Sequence, residues 1–407
     1  MTENFCGRVF VKILLLTHNF TPDLGAASFR MDSLVRFLSR KHKVTVITAY
    51  PNRYKNLNIK IEDDYNDNVQ IIRIKNFHQS NKLFKRSFSY LDYFLKSFFV
   101  VLRHIDKNDI IVATSPQILT GYLGAIFSKK NKPLVLDIRD LWPDAMIDLN
   151  LVSKKSLIYK ILKMIEKFMY KKSKVIVINS PSFEEHIRKY VKNKKIYFIP
   201  NGVDDYIVEY FEKRPINLFN KEEKIKVLYA GNLGLAQDIL ILTKISKEVG
   251  KYFHFILIGD GSQREKIERE IKIKSIENIE IRKPLKREEL FKEYEKCDAF
   301  FVHLKNIPMF KRTIPSKIFE YVATKKPVLY GLNGVAKEIM DELNAGFSFK
   351  SGDIEDLERA LLDLKNAIDN GLWEYKTNEI LIKKYLRSNL SEKFVKVIED
   401  VCYENKR

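Results

Sequence analysis

The sequence predicts an α/β protein made of two doubly wound domains, each with a parallel sheet. Three observations carry that expectation. Short apolar runs of strand length alternate with amphipathic segments along nearly the whole chain. A turn cluster, Pro200-Asn-Gly-Val-Asp204, and a polar segment over 205–224 containing Pro215 interrupt the series midway, after which it restarts. The length of 407 residues suffices for two domains, each with its own core.

In the first half, strands are expected near 12–17, 43–49, 69–74, 109–114, 133–138, 174–179 and 195–199, with helical patterns at 28–40, 86–104, 117–129, 154–172 and 182–191. The last of these opens with Ser182 and Glu185 in the spacing of a capping box. The second half predicts strands near 225–231, 253–259, 278–282, 298–303 and 326–330, with helices between them. We set the domains at 1–204 and 205–387, the helix at about 388–407 packing back on the first. Ligands of such sheets bind outside the carboxyl ends of the strands, so two of these edges would face each other across a cleft.

Net charge is +20 and unevenly spread: residues 1–204 carry 35 Lys and Arg against 18 Asp and Glu, residues 205–407 carry 37 against 34. The first half is therefore expected to meet an anionic partner, nucleic acid or an anionic membrane surface being the obvious choices. Cys6, Cys297 and Cys402 are far apart and lack metal-ligand spacing, which suits reduced thiols in a cytoplasmic protein. No stretch reaches the roughly 18 apolar residues that span a bilayer, and the run Val9–Thr17 suits a first strand better than a signal peptide.

The most telling stretch is Pro315-Ser-Lys-Ile-Phe-Glu-Tyr321. Pro315 suits a first helical turn, Ser316 or Thr313 could cap it, Lys317 adds positive charge, and Glu320 follows one turn on. Helix-end amides beside a lysine suit a diphosphate, and a carboxylate suits paired sugar hydroxyls. A capped amphipathic helix with a solvated Glu explains the same seven residues. Ala230-Gly231-Asn232-Leu233-Gly234 and Gly259-Asp260-Gly261 follow expected strands, where glycine lets amides close on a phosphate or base. Neither matches the dinucleotide fingerprint, and glycine also simply makes turns. Together the three stretches point to a nucleotide diphosphate.

In the first half, His18 ends strand one, and Gly25 and Ala26 let a ligand approach the following helix. His18 suits packing or a substrate contact better than a metal. Asp137-Ile-Arg-Asp-Leu-Trp-Pro-Asp144 brings Arg139, Asp140 and Trp142 to a strand end, where a carboxylate can hold an acceptor hydroxyl or take its proton. A helix cap with a packed Trp is the alternative. No aspartate pair suited to Mg²⁺ accompanies them.

On these landmarks, with Phe20-Thr-Pro-Asp…Gly25-Ala-Ala, Ile199-Pro-Asn-Gly-Val-Asp204 and Tyr229-Ala-Gly-Asn-Leu-Gly-Leu-Ala-Gln237, the chain resembles the GT-B glycosyltransferases of family 4, the large retaining family. It is most similar to bacterial surface-polysaccharide (O-antigen and capsule) enzymes of the N-acetyl-L-fucosamine transferase type. The motifs run in family order over nearly the whole chain.

The resemblance implies a UDP-sugar on the second domain and a lipid-linked glycan acceptor on the first. Glu320 matches the second glutamate of the family's Glu-x7-Glu motif; the first falls on Arg312. The basic pair that commonly neutralises the diphosphate falls on Asn232 and Gln237, which leaves that task to Lys317 with Arg312. The implied donor site is Gly25, Ala26, Gly231, Asn232, Gly234, Gln237, Gly259, Gly261, Arg312, Pro315, Ser316, Lys317 and Glu320. Asp140, Lys317 and Glu320 are the implied catalytic residues, and His18, Arg139 and Trp142 would meet the acceptor. No metal or cofactor is expected.

Segments 82–104 and 154–174 mix Lys and Arg with aromatics at helical spacing, which suits the plane of an anionic membrane. A core-facing aromatic stripe with a solvated basic face would look the same. Nucleic-acid binding is disfavoured, because no DNA-reading motif appears and the aromatics follow helical rather than sheet spacing. A UDP-sugar 2-epimerase of the same two-domain architecture is the competing enzyme; it would not need those basic, aromatic helices.

Overall fold

The computed structural model describes residues 10–23, 25–51, 63–77, 83–115, 117–149, 151–214, 224–375 and 378–406. Cys6, Leu24, linker residues 215–223 and the side chains of Phe84, Lys85 and Arg86, with all of Lys82, lie outside the described residues. The chain divides into two compact units: Met1–Asn201 with Arg387–Arg407, and Gly202–Leu386.

The first unit holds strands β1 (Lys12–Leu16), β2 (Lys43–Ala49), β3 (Val69–Ile74), β4 (Ile110–Thr114), β5 (Leu134–Ile138), β6 (Val175–Ile178) and β7 (Lys195–Phe198). Its helices are α1 (Ala26–Leu38), α2 (Leu83–His104), α3 (Ile118–Phe127), α4 (Asp144–Asp148), α5 (Leu157–Lys172) and α6 (Phe183–Arg188). The strands pair in parallel in the order β3-β2-β1-β4-β5-β6-β7. The central strands β4 and β5 are buried along their whole length, which explains their near-continuous apolar sequence. Their order reverses between β1 and β4, the switch point where such sheets open a crevice.

The second unit holds α7 (Asp205–Glu212), β8 (Ile225–Asn232), α8 (Lys247–Gly250), β9 (Phe253–Asp260), α9 (Arg264–Ile273), β10 (Ile279–Arg282), α10 (Arg287–Lys296) and β11 (Ala299–His303). It continues through α11 (Lys317–Ala323), β12 (Val328–Gly331), α12 (Val335–Glu342), β13 (Gly346–Ser348), α13 (Ile354–Asp369) and α14 (Asn378–Tyr385). These strands are again all parallel, in the order β10-β9-β8-β11-β12-β13, with the switch point between β8 and β11. The short edge strand β13 is not among the expected strands; its three residues fall below the length at which periodicity registers.

The closing helix, α15 (Arg387–Lys406), lies against α1. Leu390, Phe394, Val397, Ile398 and Val401 join one core of the first unit together with Met31, Leu34 and Val35 of α1. On the other face of that sheet, Tyr93, Val101, Leu123, Met169 and Tyr170 build a second core. Two helix starts differ from expectation. Ser182 already has helical backbone and makes no cap, its hydroxyl lying 2.9 Å from that of Ser180, so no capping box forms at α6. Ser316 is likewise helical and caps nothing, while Thr313 donates to the carbonyl of Met309. An N-cap side chain reaches the free amides only from an extended backbone.

Candidate functional site

In the second unit, β8 and β9 end in step, Gly231 beside Gly259 and Asn232 beside Asp260. The two turns lie in contact. A Cβ on Gly259 would come within 1.8 Å of the Gly231 carbonyl oxygen, and φ there is +158°. The Leu233 amide donates to Asp260 O at 2.9 Å, and the Leu233 carbonyl accepts from the Gln263 amide at 2.9 Å. These glycines make a floor that no side chain could enter.

Lys317, the first residue of α11, reaches onto that floor. Its Nζ donates to the Tyr229 hydroxyl at 2.9 Å and lies 4.1 Å from the centre of that ring. A Cβ on Gly231 would stand 2.2 Å from the same Nζ, so glycine leaves the ammonium its room. Tyr229 is fixed in turn by donating to Asn232 O at 2.6 Å. Burial pushes the lysine down to about 7, with nearby Glu320 acting in the opposite direction. Among the described residues the ammonium forms no ion pair within 4.0 Å. Glu320 is half-buried, 3.9 Å from Arg287 of α10, and Arg287 also pairs with Asp204 at the start of α7.

Around this centre, Asn232 donates to the Gln237 side chain at 3.1 Å, with Gly234 tight beneath both. The backbone of Gln237 accepts from buried His303, Nδ1 to O 3.0 Å, while His303 Nε2 accepts from the Gly352 amide at 3.1 Å. Burial lowers the His303 pKa, which keeps the ring neutral as those two bonds require. Gly261 takes Asp260 Oδ1 on its amide at 2.8 Å. Pro315 is half-buried before α11, and Arg312 ends a 3₁₀ turn over Phe310–Arg312, partly exposed.

In the first unit, Arg139 and Asp140 follow β5. Arg139 is buried and donates to Asn201 Oδ1 at 3.4 Å; its Nε and Nη1 have no hydrogen-bond partner among the described residues. Burial pushes the guanidinium down to about 10, against the pull of Asp137 and Asp140. Burial also raises Asp140, to about 6, with Arg139 opposing it. Trp142 encloses an indole N–H that finds no partner among the described residues. His18 is buried edge-on against Tyr90 and Tyr93 at 5.4 and 4.8 Å, with Nδ1 3.0 Å from the Asn19 side chain. Gly25 and Ala26 are half-buried at the start of α1.

Several residues that shape these sites carry no role in the sequence reading. Tyr321 bonds the Ala230 amide at 2.9 Å and stacks on Phe300 at 4.3 Å, so it ties α11 to β8. Asp137, wholly buried, pairs with Arg30 of α1 at 2.9 Å and accepts from Thr114 at 2.8 Å; Arg30 also donates to Pro200 O at 2.7 Å. A charge inside the apolar run of β5 and another on the inner face of α1 are the signals that could have found this pair. Asp144 serves elsewhere. Burial raises it, but hydrogen bonds from Tyr159 at 2.8 Å and from Lys163 hold it net below its usual range. Among the described residues no three His, Cys, Asp or Glu cluster to hold a metal ion.

Residues 27–206 match the family Glycosyltransferase Family 4, and residues 209–370 match Glycosyl transferases group 1. A relative in Pseudomonas aeruginosa, the probable glycosyltransferase WbjE, is 23% identical over 308 residues, 74% of this chain and 76% of its own length. Among solved structures, HepE of Anabaena in complex with UDP superposes with a TM-score of 0.66 at 16% identity, covering 96% of this chain and 100% of its own. Sucrose-phosphate synthase from Thermosynechococcus elongatus gives a TM-score of 0.71 at 15% identity, covering 96% and 99%. The two parallel α/β domains are those of the GT-B fold, as expected. With both halves matched in the order the fold requires, the chain belongs to the GT-B glycosyltransferases, a family 4 amino-terminal half joined to a group 1 carboxy-terminal half.

Proposed function

We propose that this glycosyltransferase moves a sugar from UDP, bound by the second unit, to a hydroxyl of a lipid-linked glycan bound by the first. The observation that carries the reading is the unpaired Lys317 ammonium held over Gly231 beside Tyr229, where the β8 turn closes. A diphosphate there would supply the missing counter-charge, and Glu320 lies one turn on for the ribose hydroxyls. The UDP complex of HepE, a protein of the same fold, supports the choice of nucleotide. The lipopolysaccharide outer core galactosyltransferase WaaB, which superposes with a TM-score of 0.61 at 14% identity, supports a surface-glycan acceptor, and the resemblance to O-antigen and capsule enzymes narrows that to O-antigen or capsule synthesis. The sugar is an N-acetylated deoxyhexosamine or hexosamine, by resemblance to the fucosamine enzymes.

Transfer proceeds with retention and needs no metal. The bond from the anomeric carbon to the UDP oxygen breaks as the acceptor oxygen attacks from the same face. The acceptor proton passes to a phosphate oxygen of the departing UDP. Lys317 stabilises the negative charge that grows on that group, where a fixed positive charge counts most. Asp140 orients the acceptor hydroxyl, and the two open nitrogens of Arg139 are donors for an acceptor oxygen. The test is calorimetric titration of the chain with UDP, GDP and ADP without divalent metal. Tighter binding of UDP, lost in Lys317→Met, is expected; equal binding of the three, or an absolute need for metal, would overturn the donor assignment.

A further inference from the structure

Helix α2 has two apolar faces, and only one is used by the core. Tyr93, Ser97 and Val101 are buried against the sheet, with Phe94 and Phe98 packed at their side. Opposite them, Phe88, Leu91, Leu95, Phe99 and Leu102 recur every three or four residues and face solvent, Phe99 61% exposed. That spacing draws one continuous stripe along the helix. Helix α5 repeats the arrangement: Glu166, Met169 and Tyr170 are buried, while Leu157, Ile161 and Met164 are exposed, two of them by 72%. Of the twenty large hydrophobic residues exposed among the described residues, nine lie on these two helices, Ile158 included.

Helix α3 packs against both α2 and α5. Tyr122 of α3 stacks on Phe94 at 5.9 Å and meets Phe168 edge-on at 5.8 Å, so partly buried aromatic rings link the two helices. Basic residues edge the patch. Lys160, Lys167 and Lys171 are exposed along one side of the α5 stripe, Lys172 lies 5.7 Å over the Phe168 ring, and Lys96 and Arg103 flank the stripe on α2. A broad apolar face in contact with water calls for an occupant.

We propose that the outward faces of α2 and α5 are a single docking surface for an anionic phospholipid bilayer, the apolar stripes entering the acyl boundary while the lysines meet headgroup phosphates. Charge selects this occupant: lysines snorkel to phosphates from just such positions, whereas a second copy would bring the same basic rim against itself. No helix of the described residues is long and apolar enough to cross a membrane, so attachment by this surface is in the plane. The inference rests on the surface alone and is independent of the donor nucleotide.

Flotation of the full chain with vesicles, without substrate, tests it. Binding is expected to vesicles containing about one-third phosphatidylglycerol and to fall at least about tenfold on pure phosphatidylcholine or in high salt. Leu95→Glu with Phe99→Glu, and separately Leu157→Glu with Met164→Glu, should each weaken it about tenfold or more with Tm unchanged, because these side chains are already in water. Lys160→Glu with Lys167→Glu should remove the preference for anionic lipid. Equal binding of all variants, or no binding of the unaltered chain to anionic vesicles, overturns the proposal. So does a dimer in sedimentation that these substitutions dissociate while vesicles are ignored, which would assign the face to a second copy.

Discussion

The ammonium of Lys317 and the hydroxyl of Tyr229 lie 2.9 Å apart, on elements separated by 88 residues of sequence, with the tyrosine ring beneath the charge. The contact orients a lysine that has no carboxylate partner within ion-pair distance among the described residues and that titrates near neutrality. With its pKa pushed down to about 7 by burial, the ammonium of the free protein loses charge as pH rises through neutrality.

Donor binding should therefore depend on pH in a definite direction. An anion raises the pKa of a bound ammonium, so binding above pH 7 must take up a proton. The affinity for UDP should fall about tenfold per pH unit from 7 to 9, the terminal phosphate being already ionised with its pKa near 6. Calorimetry at pH 8 in buffers of different ionisation enthalpy should show close to one proton taken up. In Lys317→Met the slope and the proton uptake should vanish, and the affinity at pH 6.5 should drop about 10–100-fold.

The two turn glycines should fail differently. Gly231→Ala puts a methyl 2.2 Å from the flexible Lys317 Nζ, which can move aside, so its cost is backbone strain at φ +143° without a backbone clash. UDP affinity should fall about tenfold with a stability loss of about 1–3 kcal/mol. Gly259→Ala meets backbone oxygen at 1.8 Å with φ at +158°, and neither can yield cheaply. A destabilisation of roughly 3 kcal/mol or more is expected in chemical unfolding.

Asp140 should set the acid limb of the pH–rate profile. Burial lifts its carboxyl to about 6, and an ionised carboxylate is what can orient a hydroxyl by accepting its proton in a hydrogen bond. The steady-state kcat/KM should rise with pH through about 6. Asp140→Asn should flatten that limb and lower kcat/KM about 10–100-fold, leaving UDP affinity within twofold. A limb that persists in the variant would assign it to another group.

His303 should make the second unit acid-sensitive. Its pKa is held below the usual 6.5, so the folded state prefers the neutral ring. The stability this contributes is complete above pH 6.5 and is lost as pH falls through the folded-state value. His303→Leu leaves the Gln237 carbonyl and the Gly352 amide unpaired and should cost about 2–4 kcal/mol near pH 7.5. Its unfolding free energy should change less than that of the unaltered chain between pH 7 and 5.

The sheets are legible in the sequence because strands buried on both faces, such as Val175–Ile178, write an unbroken apolar run. The division into two is legible because Pro200–Asp204 and the segment around Pro215 break the rhythm, but residues 205–212, expected within a polar segment, form α7 with Ile207, Val208 and Phe211 buried. The features that escape a sequence reading are set by contacts distant along the chain. Nothing local tells that the Tyr229 hydroxyl meets Lys317, or that Arg30 crosses 107 residues to Asp137. Capping is misjudged at Ser182 and Ser316 because a serine at the right spacing does not reveal its own backbone angles. The aromatic helices hold both alternatives at once: Tyr93 and Phe98 do pack inward, while Phe88 and Phe99 on the same helix do not.

The return of α15 to the first unit has a bearing on synthesis. Leu390, Phe394, Val395, Val397, Ile398, Val401 and Cys402 complete a core whose other members come from the amino-terminal half of the chain. A nascent chain must therefore make the whole second unit before the first can close, a delay of roughly 10–40 s at about 5–20 residues per second. During that interval Leu34, Val35 and the inner side of α1 await their cover, and the ribosome-bound half presents an apolar groove to chaperones. The second unit, contiguous from Gly202 to Leu386, has no such wait and is free to fold first. A transcript that ends before Arg387 should then yield a complete second unit beside a first unit that lacks part of its core.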